Sequence, residues 1–131
     1  MNKKIMRRLF NIAKLTEKVG GCRVVAALVV RNKVLSIGVN SKNSCFLARR
    51  FYKHNSAICN HAEISAISQL VNSTNNRLRG LTLYVCRAKK VNGHWNYGLA
   101  KPCDGCEAAI RHFGISKVFW SHDGVNIYGD K

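Results

Sequence analysis

The sequence predicts a single α/β domain of three layers, a central five-stranded mixed sheet with helices on both faces. Three observations carry that expectation. Short runs rich in β-branched and aromatic residues alternate with segments of helical periodicity, the pattern of a sheet covered by helices. The 131 residues suffice for one core without cross-links and contain no repeat, low-complexity tract or convincing internal boundary. The longest apolar run, Val24 to Val30, is far too short to span a bilayer.

The elements follow in chain order. Residues 3–18 read as an amphipathic helix with a core-facing stripe at Ile5, Leu9, Ile12 and Leu15, ended by Gly20 and Gly21. The same basic, amphipathic start resembles a mitochondrial transit peptide, but the stripe is that of an ordinary domain helix. The expectation is therefore one domain over residues 1–131, with its core at 22–128. Cys22–Val30 and Val34–Asn40 read as strands joined by a hairpin at Arg31, Asn32 and Lys33. A polar, basic loop runs from Ser41 to Cys59. His61–Val71 then combines helix formers with an apolar side at Ile64, Ile67 and Val71. Leu81–Ala88 is a third strand, followed by a loop or hairpin excursion around Asn92-Gly93. Residues 103–113 form a short helix with Pro102 at its first position and Gly114 at its stop. Residues 115–121 read as a fourth strand, and the turn His122-Asp123-Gly124 leads to a fifth at 125–128.

Charge is the unusual bulk property. Twenty-two Lys and Arg against six Asp and Glu give a formal net charge of +16. Simple solubility needs far less, and such a field attracts polyanions, so nucleic acid is the first partner to consider. Basic residues concentrate at Arg49, Arg50 and Lys53 and again at Lys89, Lys90 and Lys101. Phe51, Tyr52, Trp95 and Tyr97 are interleaved with them, offering faces for unstacked bases unless they pack internally. Six cysteines without a secretory apolar segment point to a reducing, cytoplasmic setting and no membrane partner.

The chemistry resides in two short motifs. Pro102-Cys103-Asp104-Gly105-Cys106 places two thiols one helical turn apart, and Asn60-His61-Ala62-Glu63 opens the other predicted sheet-covering helix. His61, Cys103 and Cys106 make a ligand set that zinc favours, and three protein ligands leave a fourth position for water. Helix N-termini favour thiolates, through the dipole and free N–H groups. Glu63 is the proton acceptor that a bound water would need. The competing reading is a capping box, Asn60-x-x-Glu63. Against it, Glu63 is the only acid between Lys18 and Cys103, and general acid–base service is the better account. Asp104 and Glu107 read as first-turn partners of the helix dipole.

His61-Ala62-Glu63 followed by Pro102-Cys103-Asp104-Gly105-Cys106 resembles the zinc-dependent cytidine/deoxycytidylate deaminase superfamily, in motif and in element order from about Cys22 to Tyr128. The resemblance implies that fold, one zinc ion per chain on His61, Cys103 and Cys106, and hydrolytic conversion of cytosine to uracil with loss of ammonia. It implies that Glu63 moves the protons. It also implies a substrate pocket touched by Asn40, which contacts the sugar in the family, by Ala62, and by Trp120 and His122 after the fourth strand. Without the family, Asn40 is an equally good strand-end turn former and Trp120 an equally good core residue.

Subfamily patterns do not fix the substrate. Free-nucleoside deaminases usually have cysteine where His61 stands. Polynucleotide deaminases carry Ser-Trp-Ser where this chain has Leu99-Ala100-Lys101, and tRNA adenosine deaminases usually have methionine at Gly105. The charge favours cytosine in single-stranded nucleic acid. A free cytidine or deoxycytidine nucleotide, a tRNA adenosine, and a non-catalytic zinc-containing nucleic-acid-binding module are the alternatives, with a homo-oligomer left open. Cys45, His54 and Cys59 lack a fourth ligand for a second zinc site. Cys22 and Cys86 read as small buried hydrophobes.

Overall fold

A central strand apolar on both faces requires cover on both, and the sheet supplies it. In β1 (Arg23–Val30) the odd positions Val25, Ala27 and Val29 face one layer, and Ala26 and Leu28 face the other. The computed structural model describes residues 1–19, 21–42, 51, 61–71, 78–124 and 128–130. The remaining strands are β2 (Lys33–Val39), β3 (Thr82–Val91), β4 (His94–Gly98), β5 (Lys117–Ser121) and β6 (Tyr128–Asp130). They form one mixed sheet in the order β2-β1-β3-β5-β6, with β4 paired to the far end of β3. Only the β3–β5 pairing among these is parallel. Helix α1 (Lys3–Leu15) covers one face, while α2 (Ala62–Val71) and α3 (Asp104–Phe113) cover the other. This is the expected three-layer α/β architecture, but the sheet has six strands rather than the expected five, because the excursion around Asn92-Gly93 pairs with β3 as β4. No helix among the described residues is long and apolar enough to cross a membrane.

Several boundaries differ from the sequence reading for identifiable reasons. Helix α1 stops at Leu15 with Thr16 as its C-cap, and Asn2 caps its start through bonds from the Lys4 and Ile5 amides. Its buried stripe is Ile5, Met6, Leu9 and Ala13; Leu15, expected in the core, is 89% exposed. The β1–β2 hairpin has two turn residues, not three. Val30 pairs with Lys33, and Arg31 and Asn32 both take positive φ, as a tight turn matched to strand twist requires. Asn92 and Gly93 repeat that device between β3 and β4. Pro102 precedes the N-cap of α3, which is Cys103, rather than occupying the first helical position. The last strand begins at Tyr128, so residues 125–127 of the expected strand lie outside the described residues.

One close approach fixes α2 over the sheet. At Gly38 in β2 an added Cβ would overlap the Ala66 nitrogen and the Ala62 carbonyl oxygen. Ser36 Oγ donates to the Ala66 carbonyl at 2.9 Å, and Gln69 Nε2 to the Ile37 carbonyl at 2.7 Å. The first turns of α2 therefore rest directly on β2, which sets where its N-terminus points.

Candidate metal centre and active site

Two helix starts meet above the ends of the central strands. The Ser65 amide donates to the His61 carbonyl at 3.0 Å, which places His61 at the start of α2 and Glu63 in its first turn. In that register Glu63 is the second helical residue, whereas a capping box wants the third. Asn60, the capping partner, lies outside the described residues. In α3 the Glu107 amide donates to the Cys103 carbonyl at 2.8 Å, so Cys103 sits at the N-cap and Cys106 one turn on.

His61 Nδ1 stands 3.5 Å from Cys103 Sγ and 3.5 Å from Cys106 Sγ, and the three ligand atoms lie within 4.8 Å of one another. Zinc bonds of roughly 2.0–2.1 Å to nitrogen and 2.3 Å to sulfur, at a tetrahedral angle, separate N from S by about 3.5–3.6 Å. The spacing and the donor chemistry both fit zinc. Cys106 is buried, His61 half-buried and Cys103 exposed, so the cluster is open on one side.

The protonation states follow from this packing. Hydrogen bonding to Cys106 lowers the Cys103 thiol to about 4, burial opposing and His61 assisting. Hydrogen bonding to Cys103 raises His61 above its ordinary value, against the pull of burial. Glu63 is only 5% exposed, and burial raises its carboxyl above the usual carboxylate range, with its backbone hydrogen bond and His61 pulling the other way.

A cavity of about 290 Å³ opens on the cluster, lined among others by His61, Ala62, Glu63 and Cys103, with Asn40 on one wall. Asn40 is heavily engaged. Its Nδ2 donates to the Val19 and Cys22 carbonyls at 3.3 and 3.0 Å, and its Oδ1 accepts from the Val24 amide at 3.2 Å. Both donor hydrogens hold the strand end in place, which leaves only the carbonyl oxygen for a ligand. Trp120 and His122 do not line this cavity. Trp120 is a buried core residue whose ring stacks on half-buried His122, with centroids 6.3 Å apart. Cys22, expected to be buried, is half-exposed and lines the cavity. Cys86 is buried as expected, and burial pushes its thiol up to about 12.

The nucleic-acid residues divide. Arg49, Arg50 and Lys53, with Tyr52 and the Cys45, His54 and Cys59 set, lie outside the described residues. Lys101 lines the cavity. Lys89 is paired with Asp123 at 2.8 Å, and Lys90 lies over the Trp95 ring. The aromatic residues pack inward: Tyr97 is 3% exposed and stacks on Phe10, and Phe51 packs against the α2–α3 core and His112. Arg23 and Lys90 both approach half-buried Trp95. Sequence reasoning missed Arg87, Leu99 and Ala100, which also line the cavity. The signal for Arg87 was available: alternation along β3 puts it on the same face as Leu83 and Val85.

Residues 1–122 match the family model for the cytidine and deoxycytidylate deaminase zinc-binding region. Solved structures of two proteins share the fold. Cytidine deaminase from Burkholderia pseudomallei aligns with a TM-score of 0.64 at 17% identity, covering 100% of this chain and 92% of that one. The dCMP deaminase from the cyanophage S-TIM5 in apo form aligns with a TM-score of 0.58 at 22% identity, covering 93% and 86%. The same phage enzyme in complex with dCMP and dUMP aligns at 0.56 with 21% identity, covering 93% and 84%. A comparison with curated protein sequences found no match.

Proposed function

The chain belongs to the cytidine and deoxycytidylate deaminase family and is a zinc-dependent hydrolytic deaminase, and from that premise we propose that it removes the amino group of cytosine on a free nucleotide. The observation that carries this reading is the cavity. At about 290 Å³ it is near the small end of ligand sites, roughly 300–1,000 Å³, and Arg87 and Lys101 stand in its lining. The inward packing of Phe51 and Tyr97 supports it, because it removes two platforms on which successive bases of a strand would stack. The cyanophage dCMP deaminase that shares the fold holds dCMP and dUMP in its complex.

His61, Cys103 and Cys106 are the residues that would hold the zinc ion. Bound there, zinc supplies Lewis acidity, enough to bring the pKa of water to about 7. Glu63 moves the protons. Its carboxylate accepts one from the attacking water, delivers it to the ring nitrogen beside the amino-bearing carbon, and serves the departing ammonia. Burial suits it to proton transfer, since a carboxylate raised above its usual range is a stronger base toward the water. Ala62, buried beside the cluster in the cavity wall, keeps that approach apolar and narrow.

The net charge of +16 favours a second reading, cytosine in single-stranded nucleic acid. Incubating the zinc-loaded protein with deoxycytidylate, cytidylate, deoxycytidine and cytosine-containing oligonucleotides, with products read by mass, separates the two. Turnover of a mononucleotide well above that of an oligonucleotide is expected. Turnover confined to oligonucleotides would overturn the nucleotide reading.

A further inference from the structure

Two buried side-chain nitrogens have no hydrogen-bond partner among the described residues, Arg87 Nε and Trp120 Nε1. Only Arg87 also lines the cavity over the metal cluster. No hydrogen bond or ion pair among the described residues engages its guanidinium. Glu63, the acid in the same lining, makes no ion pair with it. Asp123 feels the Arg87 charge, but its Oδ1 accepts from Lys89 Nζ at 2.8 Å and from the Leu99 amide at 3.1 Å. A half-buried guanidinium with no hydrogen-bonded or ion-paired acid, and only the exposed, already engaged Asp123 within electrostatic range, costs desolvation energy that the fold recovers only in small part from its own groups.

The side chain is also held in place. Arg87 pairs across the ladder with Gly98, where an added Cβ would come within 2.8 Å of Arg87 Cδ and 2.9 Å of Cγ. Gly98 thus leaves a groove in which the aliphatic stem lies flat. The backbone around it is stapled: the Arg87 amide donates to Ser121 Oγ at 3.1 Å, and Ser121 Oγ donates to the Gly98 carbonyl at 2.6 Å. Ser121 is fully buried. A pre-placed, unpaired cation at the wall of a substrate cavity is the arrangement that selects an anionic ligand.

We infer that Arg87 is a specificity-determining residue that receives the phosphomonoester of a free nucleotide and makes the enzyme prefer it to the neutral nucleoside. This rests on the free-nucleotide reading above. Guanidinium suits the role better than ammonium, because its planar fork meets phosphate oxygens in pairs.

The test compares Arg87→Gln, Arg87→Lys and Gly98→Ala with the parent, all zinc-loaded and checked for metal content and thermal unfolding. One readout is the ratio of kcat/KM for deoxycytidylate over deoxycytidine. The other is binding of unreactive deoxyuridylate against deoxyuridine by calorimetry. Arg87→Gln should lower both the ratio and the nucleotide's binding advantage by about 10- to 100-fold, with the change mainly in KM. Arg87→Lys should restore part of it. Gly98→Ala should reduce it with the charge intact. Equal losses for nucleotide and nucleoside, or an unchanged ratio in a folded, zinc-replete Arg87→Gln protein, would overturn the inference. Arg87-dependent binding of deoxyuridylate by a protein that deaminates only oligonucleotides would sustain the phosphate site while the free-nucleotide reading fails.

Discussion

The two faces of the sheet use the same strands to opposite ends. Toward α1, β3 and β4 present Tyr84, Cys86, Ala88 and Tyr97, and Phe10 and Phe119 pack among them. The cysteine there is chemically silent, since burial pushes its thiol up to about 12. Toward α2 and α3, the strands present Ala26, Leu28, Leu83 and Val85. All four are aliphatic, and two helix starts bring His61, Cys103 and Cys106 together, with Glu63 beside them in the cavity wall. Stacked aromatic rings from the strands mark one face, and the metal-ligand cluster with its acid marks the other. Damage to the two should therefore be separable.

The largest expected effect tests the chemical face alone. Glu63→Gln keeps the shape of the side chain, so zinc content and unfolding temperature should hold while kcat/KM falls about 100- to 10,000-fold. Steady-state kinetics on an established substrate, with metal analysis, checks this. A loss mainly of stability would return Glu63 to a capping role and blur the contrast between the faces.

The next effect belongs to the opposite face. Tyr97 is 3% exposed, and its ring lies 4.2 Å from that of Phe10, centroid to centroid. Tyr97→Ala should cost about 3–5 kcal/mol of unfolding free energy, as large-to-small aromatic substitutions in cores do. Denaturant titration gives that number. The folded, zinc-loaded fraction should turn over substrate at close to the parental kcat, and a large drop there would mean that the two faces are coupled.

How much of this was legible in sequence depends on the range of the interaction. The motifs were, because ligand spacing within a helix turn is local: Cys103 and Cys106 needed only their own helix to share a face. The meeting of His61 with them was read from chemistry and then found at 3.5 Å. Leu15 failed because helical periodicity fixes a stripe but not how far the sheet extends beneath it. Arg87 was missed because its charge drew attention from its strand parity. Trp120 took the core reading that the sequence left open beside the pocket one, and His122 stacks on it away from the cavity, a choice of face that element order alone does not reveal. Pro102 was off by one position because cap geometry, not composition, sets where a helix begins.

A third effect, smaller per pH unit, concerns metal uptake. In the metal-free chain Cys103, lowered to about 4, is already thiolate at neutral pH, while hydrogen bonding to Cys103 keeps a proton on His61 above its ordinary range. A raised His61 pKa means that zinc must displace that proton, so affinity falls as pH drops. Cys103 adds little pH dependence in the same window. Competition with a chromophoric chelator from about pH 8 to about pH 6 should show zinc affinity falling by up to roughly tenfold per unit for each proton displaced. A flat profile would remove His61 from the ligand set and with it half of the chemical face.

The smallest effect tests whether the +16 belongs to either face or only to the surface. Lys89 is tied to Asp123 and Lys90 lies over Trp95, so the cations best suited to track a strand are Arg49, Arg50 and Lys53. A polycation that neutralises phosphates releases condensed counterions, and for single strands each contact contributes about 0.7 to the slope of log affinity against log salt. Replacing all three by alanine should therefore flatten that slope by about 2 if each meets a phosphate. Oligonucleotide binding is expected to be steeply salt-dependent, weak near physiological salt, and without effect on mononucleotide kcat/KM when the triple variant is made. Fluorescence anisotropy across a salt series, run beside the deaminase assay, reads both quantities. If the triple variant loses turnover on oligonucleotides in step with the slope, the basic surface is part of the active site, and the separation of charge from chemistry fails at that point.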